Sequence, residues 1–210
     1  MKKFIFFGLM FLFLLPLSTM AEVYEARPGL KVVLPPLPEP WIVSREASPA
    51  LVAHLAEHLK EDAEKQGRTV TEEQVLSAAR QRLASNELMI FNEKSEAHLL
   101  ISFSPIGEKE KDPNAKSVAI SAQYAAEGVT DEGWTDVQDR HEPIAIKGAM
   151  HAQWFEINYK EDGASHLFMG VVGYARPYWF WLYANDHLKD PGDRAVLENI
   201  LRNIEIRVEP

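Results

Sequence analysis

The chain contains no cysteine among its 210 residues. This absence excludes disulfide bonds, thiolate nucleophiles and metal sites that need cysteine ligands. A chain of this length can bury enough apolar surface to fold without such cross-links. In an oxidising compartment its stability must therefore come from a packed core.

Positive charge is scarce as well, with 22 Lys and Arg against 31 Asp and Glu and a formal net charge of −9. Nucleic acids and anionic lipids are bound by clustered Lys and Arg, and no such cluster occurs in the chain. The G-x-S-x-G, Walker A and G-x-G-x-x-G motifs are also missing. We expect no nucleic-acid partner and no cofactor.

Long apolar runs are missing except at the N-terminus, which reads "MKKFIFFGLMFLFLLPLSTMA". Two lysines, an apolar run and a small-residue exit at Ala21 are typical of a secretory signal peptide. An uncleaved anchor is the alternative, but the run is short for a span of about 20 residues. We expect residues 1–21 to be removed, no membrane span in the single domain 22–210, and a periplasmic or secreted protein.

The first half of the domain has clear helix signals. Residues 22–30 are expected to be a mobile leader. The prolines of "KVVLPPLPEPWIVS" predict two short extended pieces around a bend, with a polyproline ligand as the alternative. Ser48 and Pro49 predict the start of a helix that ends near Gly67. A capping box from Thr71 to Gln74 predicts a second helix.

Most of the remaining chain is interpreted as strands. We predict strands at "ELMIFN", "AHLLISFSP" and "KSVAISAQYA", the last two joined as a hairpin, and an irregular region at 127–142 with one helical turn. Three clearer strands follow, "AMHAQWFEINY", "HLFMGVVGYA" and "YWFWLYA", and then a C-terminal helix. The last two strands are apolar on both faces, so both faces need cover. This predicts an α/β (α+β) fold, a three-layer α/β/α sandwich around a mainly antiparallel sheet.

The order of these elements resembles a known family. A proline-rich strand ending in a tryptophan, then helices, a meander, "HAQWFEINY", "HLFMGVVGYA", "YWFWLYAND" and "DRAVLENILRNIEIR" are similar to the Mog1/PsbP-like fold. Its exported bacterial members include the DcrB-like proteins. The resemblance is strongest over residues 147–207. It implies a binding or assembly factor more than an enzyme, and it supplies no catalytic residues.

The stretch "HLAEH", residues 54–58, fits the H-x-x-E-H pattern of the inverzincin zinc peptidases. At 100° per residue, His54, Glu57 and His58 lie on or near the polar face of the predicted helix. We therefore expect no metal site, with His54 and His58 as the weak candidates for metal binding. A metal-dependent hydrolase built on this pattern is the alternative function.

The aromatic run "RPYWFWLY" is the better candidate for a binding site. Trp179, Trp181 and Tyr183 alternate along a strand and so share one face, which is either core or a groove that the helices leave open. Arg176, at the mouth of that strand, is placed to hold a carboxylate.

The sequence thus favours an exported, non-enzymatic binding or assembly factor of the periplasm or cell envelope. Its partner is an unknown protein or small ligand. A purely structural envelope factor is a third hypothesis.

Export generates the first prediction. Protein purified from its native host should begin at or near Glu22, because the small-residue exit at Ala21 marks the cleavage position. Intact-mass spectrometry measures this directly. A full-length chain recovered from the cytoplasm would contradict it.

Overall fold

The computed structural model describes residues 21–130, 134–161 and 163–209. Apart from Ala21, the predicted signal peptide 1–21 lies outside the described residues. No helix in the described part of the chain is long and apolar enough to cross a bilayer.

Two antiparallel sheets organise the described residues. The larger has seven strands in the spatial order β3-β4-β5-β9-β8-β7-β6, and the smaller has the order β1-β2-β10. In chain order the strands are β1 (Glu22–Arg27), β2 (Leu30–Leu34), β3 (Trp41–Ser44), β4 (Leu88–Asn92), β5 (His98–Pro105), β6 (Thr135–Pro143), β7 (His151–Glu161), β8 (Ala164–Ala175), β9 (Tyr178–Asp186) and β10 (Glu205–Val208).

Helices and the small sheet cover the two faces of the large sheet. The helices are α1 (Pro49–Lys65), α2 (Glu72–Leu83), α3 (Ala115–Thr130) and α4 (Asp193–Asn203). Helices α1 and α2 pack on β4, and α3 packs on β7 and β8, all on one face. Helix α4 and the small sheet bury the other face, which holds the main core. The predicted three-layer arrangement with an antiparallel central sheet is confirmed, and its third layer is part sheet.

Helices α1 and α2 begin at the positions that their capping residues predicted. At α1 the Ser48 hydroxyl accepts a hydrogen bond from the Leu51 amide at 3.1 Å, and Pro49 occupies the first turn. At α2 the Gln74 amide donates to the Thr71 hydroxyl at 3.3 Å, and the Thr71 amide donates to the Gln74 side chain at 2.8 Å. Both caps satisfy amides that the first helical turn leaves without a partner.

The prediction of a strand and hairpin at "KSVAISAQYA" is wrong, because this segment lies in α3. The buried residues Val118, Ala122 and Ala126 are four apart, which is helical spacing. Asn114 caps the helix, since its side-chain oxygen accepts from the Ser117 amide at 3.0 Å. The β-branched residues resemble a strand, but the side that packs consists mostly of small alanines.

The irregular region expected at 127–142 is also wrong where it is described. Residues Thr135–Pro143 form β6, which pairs antiparallel with β7. Strand β6 is the edge of the large sheet, and nearly all of its side chains are at least partly exposed. Neither face of β6 buries a side chain, so its sequence shows no apolar alternation.

The expected mobile leader is instead the first strand of the small sheet. Strand β1 pairs antiparallel with β2 through a turn in which Gly29 adopts a φ of +76°. Strand β10, which the sequence analysis did not anticipate, pairs with the other side of β2. The N-terminal and C-terminal strands therefore share one sheet.

The close approach of Gly148 to β10 generates a stability prediction. Gly148 and Gly163 both have positive φ, at +87° and +82°. A methyl group on Gly148 would overlap the carbonyl oxygen of Ile206. A methyl group on Gly163 would have no atom within 4 Å. Gly163→Ala should cost about 1–2 kcal/mol for the left-handed backbone alone, and Gly148→Ala clearly more. Urea unfolding of the two variants measures the difference, and equal costs would contradict the close approach.

Candidate functional site

The two faces of β9 differ in burial, although β9 lies in the middle of the sheet. Phe180 and Leu182 are fully buried in the main core. Trp179, Trp181 and Tyr183 share the opposite face, as predicted from their spacing, and all three are half-buried. The indole rings of Trp179 and Trp181 lie 6.2 Å apart at an angle of 18°.

This face is half-open because the helices that cover it stand apart. On one side α1 and α2 pack on Met89 and Phe91 of β4. On the other side α3 packs on Phe155 and Ile157 of β7 and on Val172 of β8. Strands β5 and β9 lie between these covers, where Leu100 packs against the α1–α2 cluster and the three aromatic side chains of β9 pack against the α3 cluster. These two strands form a surface that we call the aromatic strip, made of Leu100, Ser102, Ser104, Trp179, Trp181 and Tyr183.

The aromatic strip is closed at one end and open at the other. Along β5 the residues on this face are His98, which is buried, Leu100 and Ser102, which are half-buried, and Ser104, which is exposed. Ser104 pairs with Trp179, whereas His98 pairs with Asn185. The open end therefore lies beside the turn between β8 and β9.

Arg176 lies in that turn, and its carboxylate partner comes from the chain itself. The guanidinium Nη1 is 3.5 Å from Oδ2 of Asp112, and the Tyr174 hydroxyl donates to Oδ1 of the same carboxylate at 2.6 Å. Burial and this carboxylate raise the pKa of Tyr174 to about 12. The Arg176 side chain is 73% exposed, so its ion pair contributes little to stability.

The closed end of the strip is formed by imidazoles. Five of the seven histidines meet here, from α1, β5, β8 and the residue after β9. The ring centroids of His54 and His187 are 4.8 Å apart, and those of His166 and His187 are 5.3 Å apart. We call this group the histidine cluster: His54, His58, His98, His166 and His187.

The expected position on or near the polar face is wrong for His54, which is half-buried, whereas the side chain of His58 is 41% exposed and Glu57 is exposed. Helix α1 buries its apolar stripe on the sheet, as its periodicity indicates. The ring of His54 also meets His187, which follows β9, so the helix has a second contact surface. A helical wheel shows the direction of each side chain but not the neighbours beyond the main stripe.

Hydrogen bonds fix several of these rings. Nδ1 of His98 lies 2.9 Å from the Glu96 carbonyl oxygen and therefore carries the proton, while its Nε2 lies 3.4 Å from the Asn185 amide nitrogen. The Nδ1 atoms of His166 and His187 are 3.2 Å apart. Nε2 of His187 is buried, with no hydrogen-bond partner in the structure.

Burial favours the neutral form of four of these imidazoles. It lowers the pKa of His98 to about 4 and that of His187 to about 3, and it lowers the pKa of His54 and His166 as well. The carboxylates of Glu96 and Glu57 oppose the lowering of the His54 pKa, and Oε2 of Glu96 already accepts a hydrogen bond from Lys189 Nζ at 2.6 Å. In the described part of the chain, no three His, Asp or Glu side chains are already grouped to hold a metal ion.

His98, His166 and His187 did not emerge from the sequence, because they are far apart in the chain and match no ligand spacing. The pairing of His98 with Asn185, and of Phe168 with Asn185, brings the three strand ends together. The sequence alone does not reveal which residues of these strands are paired, because the pairing depends on the order of the strands in the sheet. The one sequence feature that could have indicated the cluster was the number of histidines at the ends of strands.

Comparisons with known proteins give similarity to solved structures only. No family model and no curated protein matches the chain. The chain is similar to the solution structure of cyanobacterial PsbP (CyanoP) from Synechocystis sp. PCC 6803, at 10% identity and a TM-score of 0.45. The similarity covers 90% of this chain and 93% of that chain. A relation to DcrB-like proteins stays a prediction.

The histidine cluster generates a pH prediction. The pKa of His98 is lower in the folded chain than in the unfolded chain, so the unfolded state binds more protons below about pH 6.5. Stability should be complete above that pH and fall as the pH drops towards 4. His98→Gln should reduce the slope between pH 6.5 and 5 by up to about 1.4 kcal/mol per pH unit.

Urea unfolding at several pH values measures this slope. His151→Gln is the matched control, because His151 is half-buried on β7 and lies outside the cluster. The prediction fails if the stability of the parent protein is constant over this range, or if both variants change the slope equally.

Proposed function

We propose that this protein is an exported, non-enzymatic binding factor whose binding surface is the aromatic strip. The occupant is an amphipathic helix of a partner protein, packed between the covers formed by α1–α2 and α3. The observation that carries the proposal is the half-burial of Trp179, Trp181 and Tyr183 on a central strand.

The contrast with another tryptophan supports a surface role for the strip. Trp154 lies on β7, the strand next to the sheet edge, and is only 1% exposed. Trp179 and Trp181 lie on β9, the middle strand of the seven, and are more exposed than Trp154. Tryptophan is enriched at binding surfaces because it buries a large area and keeps a polar N–H group for hydrogen bonding.

The width of the strip supports a helix as its occupant. Two strands span about 10 Å, and an α-helix with its side chains is about 10–12 Å across. The floor combines indole and phenol rings with the hydroxyls of Ser102 and Ser104. An amphipathic helix places an apolar stripe on such a floor and keeps its polar side in water.

Two features of the chain support the other parts of the proposal. The N-terminal pattern of lysines and apolar residues favours export, and the cysteine-free composition suits any redox compartment.

A hydrolase of the H-x-x-E-H type needs its glutamate beside the histidines. Here Glu57 is exposed while His54 and His58 are half-buried, so we do not propose hydrolysis.

Site-specific photocrosslinking in the envelope tests the proposal. A crosslinking amino acid at Ser104, at the open end of the strip, should join the chain to one partner protein. The same amino acid at Val208, which is exposed on β10 in the opposite layer, is the control and should not. Mapping the crosslink should give a helical segment, and the synthetic peptide should bind the purified protein. A crosslink to a small ligand or to a strand would contradict a helical occupant.

Paired tryptophan variants separate binding from stability. Trp181→Ala should abolish the Ser104 crosslink and cost about 1–2 kcal/mol, because its side chain is half-buried. Trp154→Ala is the matched control and should cost about 3–5 kcal/mol, because its indole is fully buried. Urea unfolding measures both costs. If Trp181→Ala is as costly as Trp154→Ala, or leaves the crosslink intact, the strip is core and not a binding surface.

A further inference from the structure

We infer that the histidine cluster binds one late first-row divalent cation, such as Zn²⁺ or Cu²⁺, through His166 and His187, with His54 as the third ligand. This inference does not depend on the proposed function, because the cluster forms the closed end of the aromatic strip and needs no partner protein.

The spacing of two nitrogen atoms carries the argument. Nδ1 of His166 and Nδ1 of His187 are 3.2 Å apart. Two imidazole nitrogens bound to one tetrahedral zinc, each at 2.0–2.1 Å, are separated by about 3.3 Å. The pair is therefore already at ligand separation. When an ion binds, the proton of this hydrogen bond moves to Nε2 of the ring that carried it, so that both rings bind as neutral imidazoles.

His54 supplies the third ligand from the opposite side. Its ring centroid is 4.8 Å from that of His187, and two imidazoles on one tetrahedral ion have centroids about 5.2 Å apart. Because no three donors are already grouped in the described residues, the His54 ring must rotate on α1 to complete the site. His58, whose ring is 4.6 Å from that of His54, packs beside it.

His98 fits a supporting role and not a ligand role. Both of its nitrogens are engaged, by the Glu96 carbonyl and by Asn185, and it is fully buried. Its ring lies 6.5 Å from His54 and 6.4 Å from His187 and so packs against two of the ligands.

The charge and donor type define the class of ion. Imidazole donors suit zinc, copper and nickel, whereas magnesium and calcium need oxygen ligands. Metal binding requires neutral imidazoles, and burial keeps His166 and His187 neutral near pH 7. Lys189 is the nearby cation, and its Nζ donates to the Glu96 carboxylate at 2.6 Å, which offsets its charge.

Metal titration of the tag-free purified chain tests the inference. Calorimetry with Zn²⁺, and separately with Cu²⁺, should give one ion per chain, and Mg²⁺ should give none. His166→Ala should weaken Zn²⁺ binding at least about 10-fold, since even residues that only support metal ligands have effects of 10–100-fold. His151→Ala is the matched control outside the cluster and should leave the affinity unchanged.

The Cu²⁺ electron paramagnetic resonance spectrum gives a second readout. It should show coupling to nitrogen nuclei, and that coupling should change in His166→Ala and not in His151→Ala. If His166→Ala proves unfolded by circular dichroism, His166→Gln takes its place, because His166 is half-buried at the start of β8 and tolerates a polar side chain. Absence of stoichiometric binding by the parent protein, or equal affinities for His166→Ala and His151→Ala, would overturn the inference and leave a simple N–H···N hydrogen bond.

Discussion

The structure depends on the need to cover both faces of its two central strands. Strands β8 and β9 carry apolar side chains in both directions, so neither face can be left to water. One face is enclosed completely by α4 and the small sheet, which pack around Phe180 and Leu182. The other face receives three helices. All other features of the fold can be understood as ways to satisfy this requirement.

The three helices cover only part of the sheet face that carries Trp179, Trp181 and Tyr183. Helices α1 and α2 remain together over β4, while α3 lies over β7 and β8. The two covers leave β5 and β9 between them, where Trp179 and Trp181 stay half-buried. Partly exposed tryptophans on a central strand leave apolar surface in contact with water, and burying that surface on binding would be favourable. The same gap ends at the histidine cluster, where the strand ends and α1 close it.

The histidine cluster shows how burial and geometry act together. The rings contact each other at centroid distances of 4.6–5.3 Å for the three nearest pairs, and His98 is buried beside them. Such packing favours neutral imidazoles, and neutral imidazoles are both compact core residues and metal ligands. Structural and metal-binding roles therefore require the same protonation state. The two roles differ in whether the nitrogens of His166 and His187 share a proton or an ion.

The sequence by itself determined the strongly patterned elements. The caps at Ser48 and Thr71, the alternation in β7–β9 and the three-layer class follow from local chemistry and periodicity. Tertiary structure alone decided α3, whose packed side is mostly alanine, and β6, whose edge position removes the need for apolar residues. It also decided the burial of His54, because its neighbours His98 and His187 come from strand ends brought together by sheet register. Local patterns encode the direction of a side chain, whereas its neighbours depend on which distant strands become adjacent.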